Sequence, residues 1–490
     1  MRRPTIPVLS ITAALLATAF SAHAASLQEA ATNLAVAKTQ AIEFSGSGHW
    51  FQFGQAPNAK LPWPQFDVTK YVADLDYGKS AARVQITRLQ ADDPKRRRPA
   101  PSTQWLDQYV NGKLAWNLPP ASQPQTASPQ FAAAEERQAE IWSSPHGFIK
   151  AALANNASSK AVKNGVEVEF TVDGKYRYVG TINANNEVER IKTWIDTAVL
   201  GDTLVETEFA HYKDFNGLRF PSEIIRQQGG HPVLAIRVAE VKANPAIAIT
   251  PPEEIQKAQL PAVTVKSEKL AEGVHYLTGG THHSVAIEQK DHVVLVEAPL
   301  NEARSLALID KVKEIIPGKP IKYLINSHLH FDHSGGLRTF VNDGATIVTH
   351  KLNEAYYKQA WAAPRSINPD RLAESKKAPR FETFTDKLVL NDGSRKIEIH
   401  NIAGSGHNDG FAIVYLPAEK ILIEGDAYTP TAAGTPLPAS PNPYSVNLYE
   451  NIQRLKLDVD KIAALHGPRL VTLNDLRAAI GLGSSYANAK

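Results

Sequence analysis

Asn326-Ser327-His328-Leu329-His330-Phe331-Asp332-His333-Ser334-Gly335-Gly336 decides how the second half of this chain folds. The short apolar run Ile321 to Ile325 leads straight into it and reads as a buried strand. Side chains repeat every two residues along a strand, so His328 and His330 leave its end on the same side. A sharp turn then presents Asp332 and His333, and Gly335-Gly336 lets the next helix start close by. Three imidazoles and a carboxylate spaced H-x-H-x-D-H form a metal-ligand pattern. One strand end can thus serve two metal ions.

Downstream, three more ligand-type residues sit in glycine-containing loops at strand ends, where a site on one edge of a sheet needs them. His407 lies in Gly404-Ser405-Gly406-His407-Asn408-Asp409-Gly410. Asp426 follows the apolar strand Ile421 to Ile423, and His466 ends another apolar stretch before Gly467. The chain has no cysteine, so disulfides and thiolate ligands are excluded and any metal is held by imidazoles and carboxylates. Around these motifs strands and helices alternate. His275 to Glu288 and His292 to Glu297 read as strands, and Asn301 caps a helix with Leu306, Ile309, Val312 and Ile316 on one face. A hairpin turns at Asn391-Asp392-Gly393, and Asn474 to Ile480 forms a closing helix.

In its motifs this half, residues 266–490, resembles the metallo-β-lactamase superfamily. The resemblance implies an αββα sandwich. It implies that His328, His330 and His407 hold one ion, Asp332, His333 and His466 hold a second, and Asp426 bridges them. The implied cofactor is Zn²⁺, two per chain, although manganese or iron serves in some relatives. It implies a hydrolase in which a hydroxide shared by the ions attacks a carbonyl or related centre, with Asp332 as metal ligand and catalytic group. Relatives that cleave β-lactams carry Cys or Ser at the position of Asp426, whereas thioesterases, lactonases and phosphodiesterases carry Asp. A small ester, thioester or lactone is therefore the expected substrate. The alternatives are β-lactamase-type amide hydrolysis, and a non-catalytic lipid-binding or delivery protein with a retained metal site.

Glu297 stands where the family places an Asp beside the site, and the extra methylene should alter the hydrogen bonding there. His282-His283 either lines the pocket mouth or forms an exposed loop pair. Tyr428 either donates to a developing oxyanion or packs. The stretch from His350 to Pro379, with Tyr356, Tyr357 and Trp361, either covers the site or forms surface loop and helix.

Before residue 250 the texture is mainly β. Val166, Val168, Phe170 and Val172 alternate with polar residues up to Asp173-Gly174, after which Tyr176 and Tyr178 alternate again, a hairpin signal. Further strands are expected at 41–53, 82–89, 204–211 and 233–241, a long loop at 94–130, and a helical stretch at 132–154 broken at Pro145. Residues 25–249 thus read as a mainly antiparallel, half-barrel-like domain, giving an α+β and α/β chain overall. Tyr212 to Pro221 resembles a strand–turn–strand of lipoprotein-carrier half-barrels. Its histidines, His49, His146, His211 and His231, are scattered and suggest no chemistry. Residues 250–265, around Pro251-Pro252, read as a linker.

The 490 residues exceed one hydrophobic core, and 43% apolar with 21% charged residues is ordinary for a globular protein. A net charge of +3 implies no nucleic-acid partner, and Lys95-Arg96-Arg97-Arg98 reads as a solvated loop. Arg2-Arg3, the apolar stretch Val8 to Phe20 and Ala22-His23-Ala24 read as a secretory signal peptide over residues 1–24. No later segment is apolar enough to span a membrane. A secreted, periplasmic protein acting on a small molecule is expected.

Overall fold

The computed structural model describes residues 25–437 and 439–483. The expected export signal lies outside them. No helix among the described residues is long and apolar enough to cross a membrane.

An antiparallel sheet of 13 strands occupies the N-terminal part. One meander runs outward from Ala41–Phe51 through Gln65–Asp76, Ala81–Gln90, Thr103–Asn111 and Leu114–Leu118 to an edge at Ser128–Pro129. The other starts at the opposite edge, Ser158–Val162, and ends with Gly201–Phe215, Leu218–Gln228 and His231–Ala243. The two meet at the centre, where Ala41–Phe51 pairs with His231–Ala243. The hairpin at Asp173-Gly174 joins Gly165–Val172 to Tyr176–Asn183. Pro145 opens the helix Pro145–Ala154 after Ala134–Trp142 has stopped, and the Ser144 hydroxyl caps it by accepting from the Gly147 amide at 3.2 Å. Phe148 and Ile149 on that helix are buried with Val168, Phe170, Phe220 and Ile236 of the sheet.

The expected 94–130 loop is a correction. It holds the strands Thr103–Asn111 and Leu114–Leu118, whose Tyr109 and Trp116 stack at 5.1 Å. Tyr109 and Trp116 bury with Ile249 and Ile255 of the linker region, and this long-range packing outweighs the Pro- and Gln-rich flanks. The segment between the sheets carries a short helix, Glu253–Lys257.

Two further sheets make up the C-terminal part. One has seven strands: Lys266–Ala271, Val274–Thr278, Ser284–Glu288, Val293–Val296, Ile321–Ile325, Thr346–His350 and Arg380–Phe384. The first four pair antiparallel and the last four parallel. The other has six: Lys387–Asn391, Lys396–Asn401, Ala412–Leu416, Ile421–Glu424, Lys461–Ala464 and Val471–Thr472. Val285, Val294, Ile325 and Val348 of the first bury against Ile397, Val414 and Ile423 of the second. Leu308, Val312, Phe340 and Tyr357 bring helices Glu302–Ile315, Leu337–Asp343 and Lys351–Trp361 onto the seven-stranded sheet. Leu448, Ile452 and Leu476 bring Pro443–Leu455 and Leu473–Ala479 onto the six-stranded one. The Asn301 side chain accepts from the Arg304 amide at 3.0 Å, capping its helix as expected.

The single strand expected over His275 to Glu288 is corrected to two, separated by a turn at Gly279-Gly280. That turn brings His282 to the end of the sheet from which the metal motif emerges. At Gly335 and Gly336 a Cβ would lie 2.0 Å from the Leu300 carbonyl oxygen and 2.0 Å from the Ser305 hydroxyl. Only glycine lets the helix after the motif sit this close to its neighbours.

Candidate metal centre

His328, His330, His407 and Asp426 each offer a ligand atom, and these atoms lie within 4.8 Å of one another. His282, Asp332 and His333 form a second such group. Asp426 stands between the two. Its Oδ2 is 3.2 Å from His407 Nε2 and 3.8 Å from His328 Nε2, while its Oδ1 is 3.0 Å from His333 Nε2. Asp332 Oδ2 is 3.3 Å from His282 Nε2 and 3.7 Å from His333 Nε2. Six of the seven motif residues, joined by His282, are therefore gathered at one end of the two sheets. His466 stands slightly apart, its ring edge-to-face with His282 at 4.2 Å and 6.3 Å from that of His333.

Buried polar atoms normally find a partner. Here His330 Nδ1, His333 Nε2, Asp426 Oδ1 and His466 Nδ1 are buried without a hydrogen bond. Each belongs to a residue of the motif set, and His333 Nε2 and Asp426 Oδ1 face each other at 3.0 Å. Imidazole and carboxylate donors of this number suit zinc.

Outer contacts decide which ring nitrogen is offered. The buried Glu297 carboxylate accepts from His333 Nδ1 at 2.9 Å, from the Ser327 hydroxyl, and from the Ser327 amide at 3.3 Å. Thus the Glu in place of Asp keeps its supporting role, on a backbone bent to φ 76°. The His330 Nε2–H donates to the Ala56 carbonyl at 3.1 Å, which leaves Nδ1 free. Gln55 Nε2 donates to Asp332 Oδ1 at 2.8 Å.

Burial, reinforced by the neighbouring imidazoles, holds His328 far below the usual imidazole range and His330 at about 3. Burial alone would raise Asp332 and Asp426. The His282 hydrogen bond and the His333 charge bring Asp332 down, and His333 and His407 do the same for Asp426. Burial would lower His333, but the facing Asp426 and Glu297 carboxylates outweigh it and push the ring well above the usual imidazole range.

The secondary candidates resolve differently. His282 joins the centre. His283, buried beside it, donates from Nε2 to the Gly467 carbonyl at 2.5 Å and packs on Tyr276, so it neither lines a mouth nor lies exposed. Tyr428 is buried among Phe411, Leu448 and Leu476. Tyr357 supports the motif from beneath, its hydroxyl donating to Asn326 Oδ1 at 2.7 Å, and stacks on Trp361. The basic run 95–98 is a further correction. Arg96 is mostly buried and grips Asp409 at 2.8 and 2.9 Å, beside the His407 loop. Its charge is used between the two parts of the chain, which no local pattern reveals. Gln55 and Ala56 were equally invisible, being ordinary residues in a turn far from the motifs.

A model of the metallo-β-lactamase superfamily matches residues 277–466. The metallo-β-lactamase type 2 of Elizabethkingia meningoseptica is 24% identical over 169 residues, 33% of this chain and 61% of that protein. The chain thus spans about three-fifths of the length of this curated relative. Among solved structures, a metallo-β-lactamase from Pontibacter korlensis is 20% identical, with 45% of this chain and 98% of that one covered at a TM-score of 0.34. FIM-1 from Pseudomonas aeruginosa, in its mono-zinc form, is 18% identical, with 46% and 97% covered at a TM-score of 0.35.

Proposed function

Because the C-terminal part of this chain belongs to the metallo-β-lactamase superfamily, we propose that the protein is an exported dinuclear zinc hydrolase of a small ester, thioester or lactone. The observation that carries the reading is the pair of adjacent ligand groups, His328, His330, His407 and Asp426 in one and His282, Asp332 and His333 in the other, each with its ligand atoms within 4.8 Å of one another. In this reading His328, His330 and His407 would hold one ion, and Asp332, His333 and His466 the second. His282, grouped with Asp332 and His333, could join the second set, and Asp426 would be shared between the two. When bound, the ions supply Lewis acidity and make water acidic enough to attack at neutral pH.

The chain's own groups do the rest. Asp332 would both bind the second ion and orient the attacking water, while Gln55 holds its Oδ1. Glu297 fixes His333 through Nδ1, and the Ala56 carbonyl fixes His330 through Nε2. Asp332 is the more open of the two carboxylates, with 30% of its side chain exposed against 14% for Asp426.

Asp at position 426 favours ester-type substrates over β-lactams, by the resemblance already described. The type 2 metallo-β-lactamase relative keeps β-lactam hydrolysis as the second reading. The test is elemental analysis with a panel of esters, lactones, thioesters, phosphodiesters and β-lactams. Close to two zinc equivalents and turnover of an ester, thioester or lactone are expected. Protein that binds no metal in zinc-supplemented medium, or that turns over only β-lactams, would overturn the proposal.

A further inference from the structure

The loop between the central strand Ala41–Phe51 and Gln65–Asp76 leaves the N-terminal sheet and lies against both metal motifs. Gly54 meets the first motif: its carbonyl accepts from the Phe331 amide at 3.2 Å. A Cβ there would stand 2.5 Å from the Phe331 ring, and φ is +77°, so glycine is required twice over. Phe53 sits edge-to-face on Phe331 at 5.1 Å and on Trp63 at 4.4 Å. Next come Gln55, donating to Asp332, and Ala56, whose carbonyl accepts from His330 Nε2 at 3.1 Å and from Asn408 Nδ2 at 3.2 Å. The Pro57 carbonyl accepts from the Asp409 amide at 2.8 Å, and Asn58 donates to the Asp409 carboxylate at 2.5 Å. One short loop thus touches residues 330–332 of one motif and 408–409 of the other.

We propose that the N-terminal sheet is a working part of the metal centre, its 52–61 loop setting the ligands from outside, with Gln55 as the positioning residue for Asp332. The proposal rests on the reading of these groups as metal ligands. The chemistry is that of outer hydrogen bonds. An imidazole binds a cation well when its other nitrogen carries a proton held by a fixed acceptor, and a carboxylate when its non-ligating oxygen is held by a fixed donor. The Ala56 carbonyl and the Gln55 amide supply these two functions, and both come from a stretch that the family match does not cover.

The test uses the full chain with Gln55→Ala and Gln55→Met, the second keeping the volume. Metal affinity is measured by competition with a chelator, and the absorption spectrum of the cobalt-substituted protein reports ligand geometry. Loss of an outer partner typically weakens metal binding about 10–100-fold. That loss is expected for one of the two ions, with a changed cobalt spectrum and an unaltered thermal transition in the metal-free state. Both variants binding two ions as tightly as wild type, with an unchanged spectrum, would overturn the proposal. So would a lowered melting temperature with affinity intact, since the loop would then be only a clamp. If the wild-type protein itself bound no metal, the functional reading would fail first and this inference with it.

Discussion

Asp332 is held from both sides, Gln55 donating to Oδ1 and His282 to Oδ2. Asp332→Asn keeps the volume but removes charge and basicity. Loss of a positioned base costs about 10²–10⁴-fold in rate, and that drop in kcat is expected with a near-native thermal melt. Near-wild-type turnover by the zinc-loaded variant would show that the base lies elsewhere. Glu297 presents a different balance, because it is a buried acceptor for Ser327 and His333. Glu297→Ala strands those donors, at about 1–3 kcal/mol for each one left buried and unpaired. Fold stability and zinc content should fall together, measured by denaturant titration and elemental analysis. A variant as stable as wild type would mean that water replaces the carboxylate. His328, His330, Asp332 and His333 were legible in the sequence because the strand period and turn force them together. The part of His282 was not, since it depends on where the Gly279-Gly280 turn sends the next strand.

The strands that carry the centre are held by apolar burial between the two sheets. Ile423, three residues before Asp426, is 1% exposed and packs in that layer. Ile423→Ala removes buried methyl groups and leaves a cavity, at about 2–5 kcal/mol. The fall in melting temperature should be accompanied by weaker metal retention, because the strand end that carries Asp426 loosens. Retained stability would mean the sheets collapse to fill the gap. At this scale the sequence is read best where short apolar runs end in motif loops, as at Ile321–Ile325 and Ile421–Glu424. It is read worst at Thr103–Asn111 and Leu114–Leu118. Trp105 on the first of these is 58% exposed, and the strands are secured mainly by partners far along the chain.

For the whole molecule, both parts of the chain meet at the candidate metal centre, where Gln55 and Ala56 contact Asp332 and His330. Ligand binding to the folded state stabilises it by RT ln(1 + [L]/Kd), about 4.1 kcal/mol at a thousandfold excess over Kd. Stripping the ions with a chelator is therefore expected to lower the melting temperature, and adding zinc back should restore it. An unchanged melt after verified removal of metal would contradict the fit of the ligand set. Contacts such as Gln55 to Asp332, 277 residues apart, have no signature in local periodicity or composition. Arg96 to Asp409 is hidden in the same way, 313 residues apart.

The central pairing of Ala41–Phe51 with His231–Ala243 also sets an order of events in time. The strand that carries the 52–61 loop is among the first made, yet one of its two neighbours is about 190 residues away in the chain. Domains fold largely as units, the N-terminal one first during synthesis. The sheet can therefore close once residue 243 has emerged, while the H-x-H-x-D-H strand is still unmade. A chain cut short before His231 therefore leaves the strand that carries this loop with only one of its two neighbours.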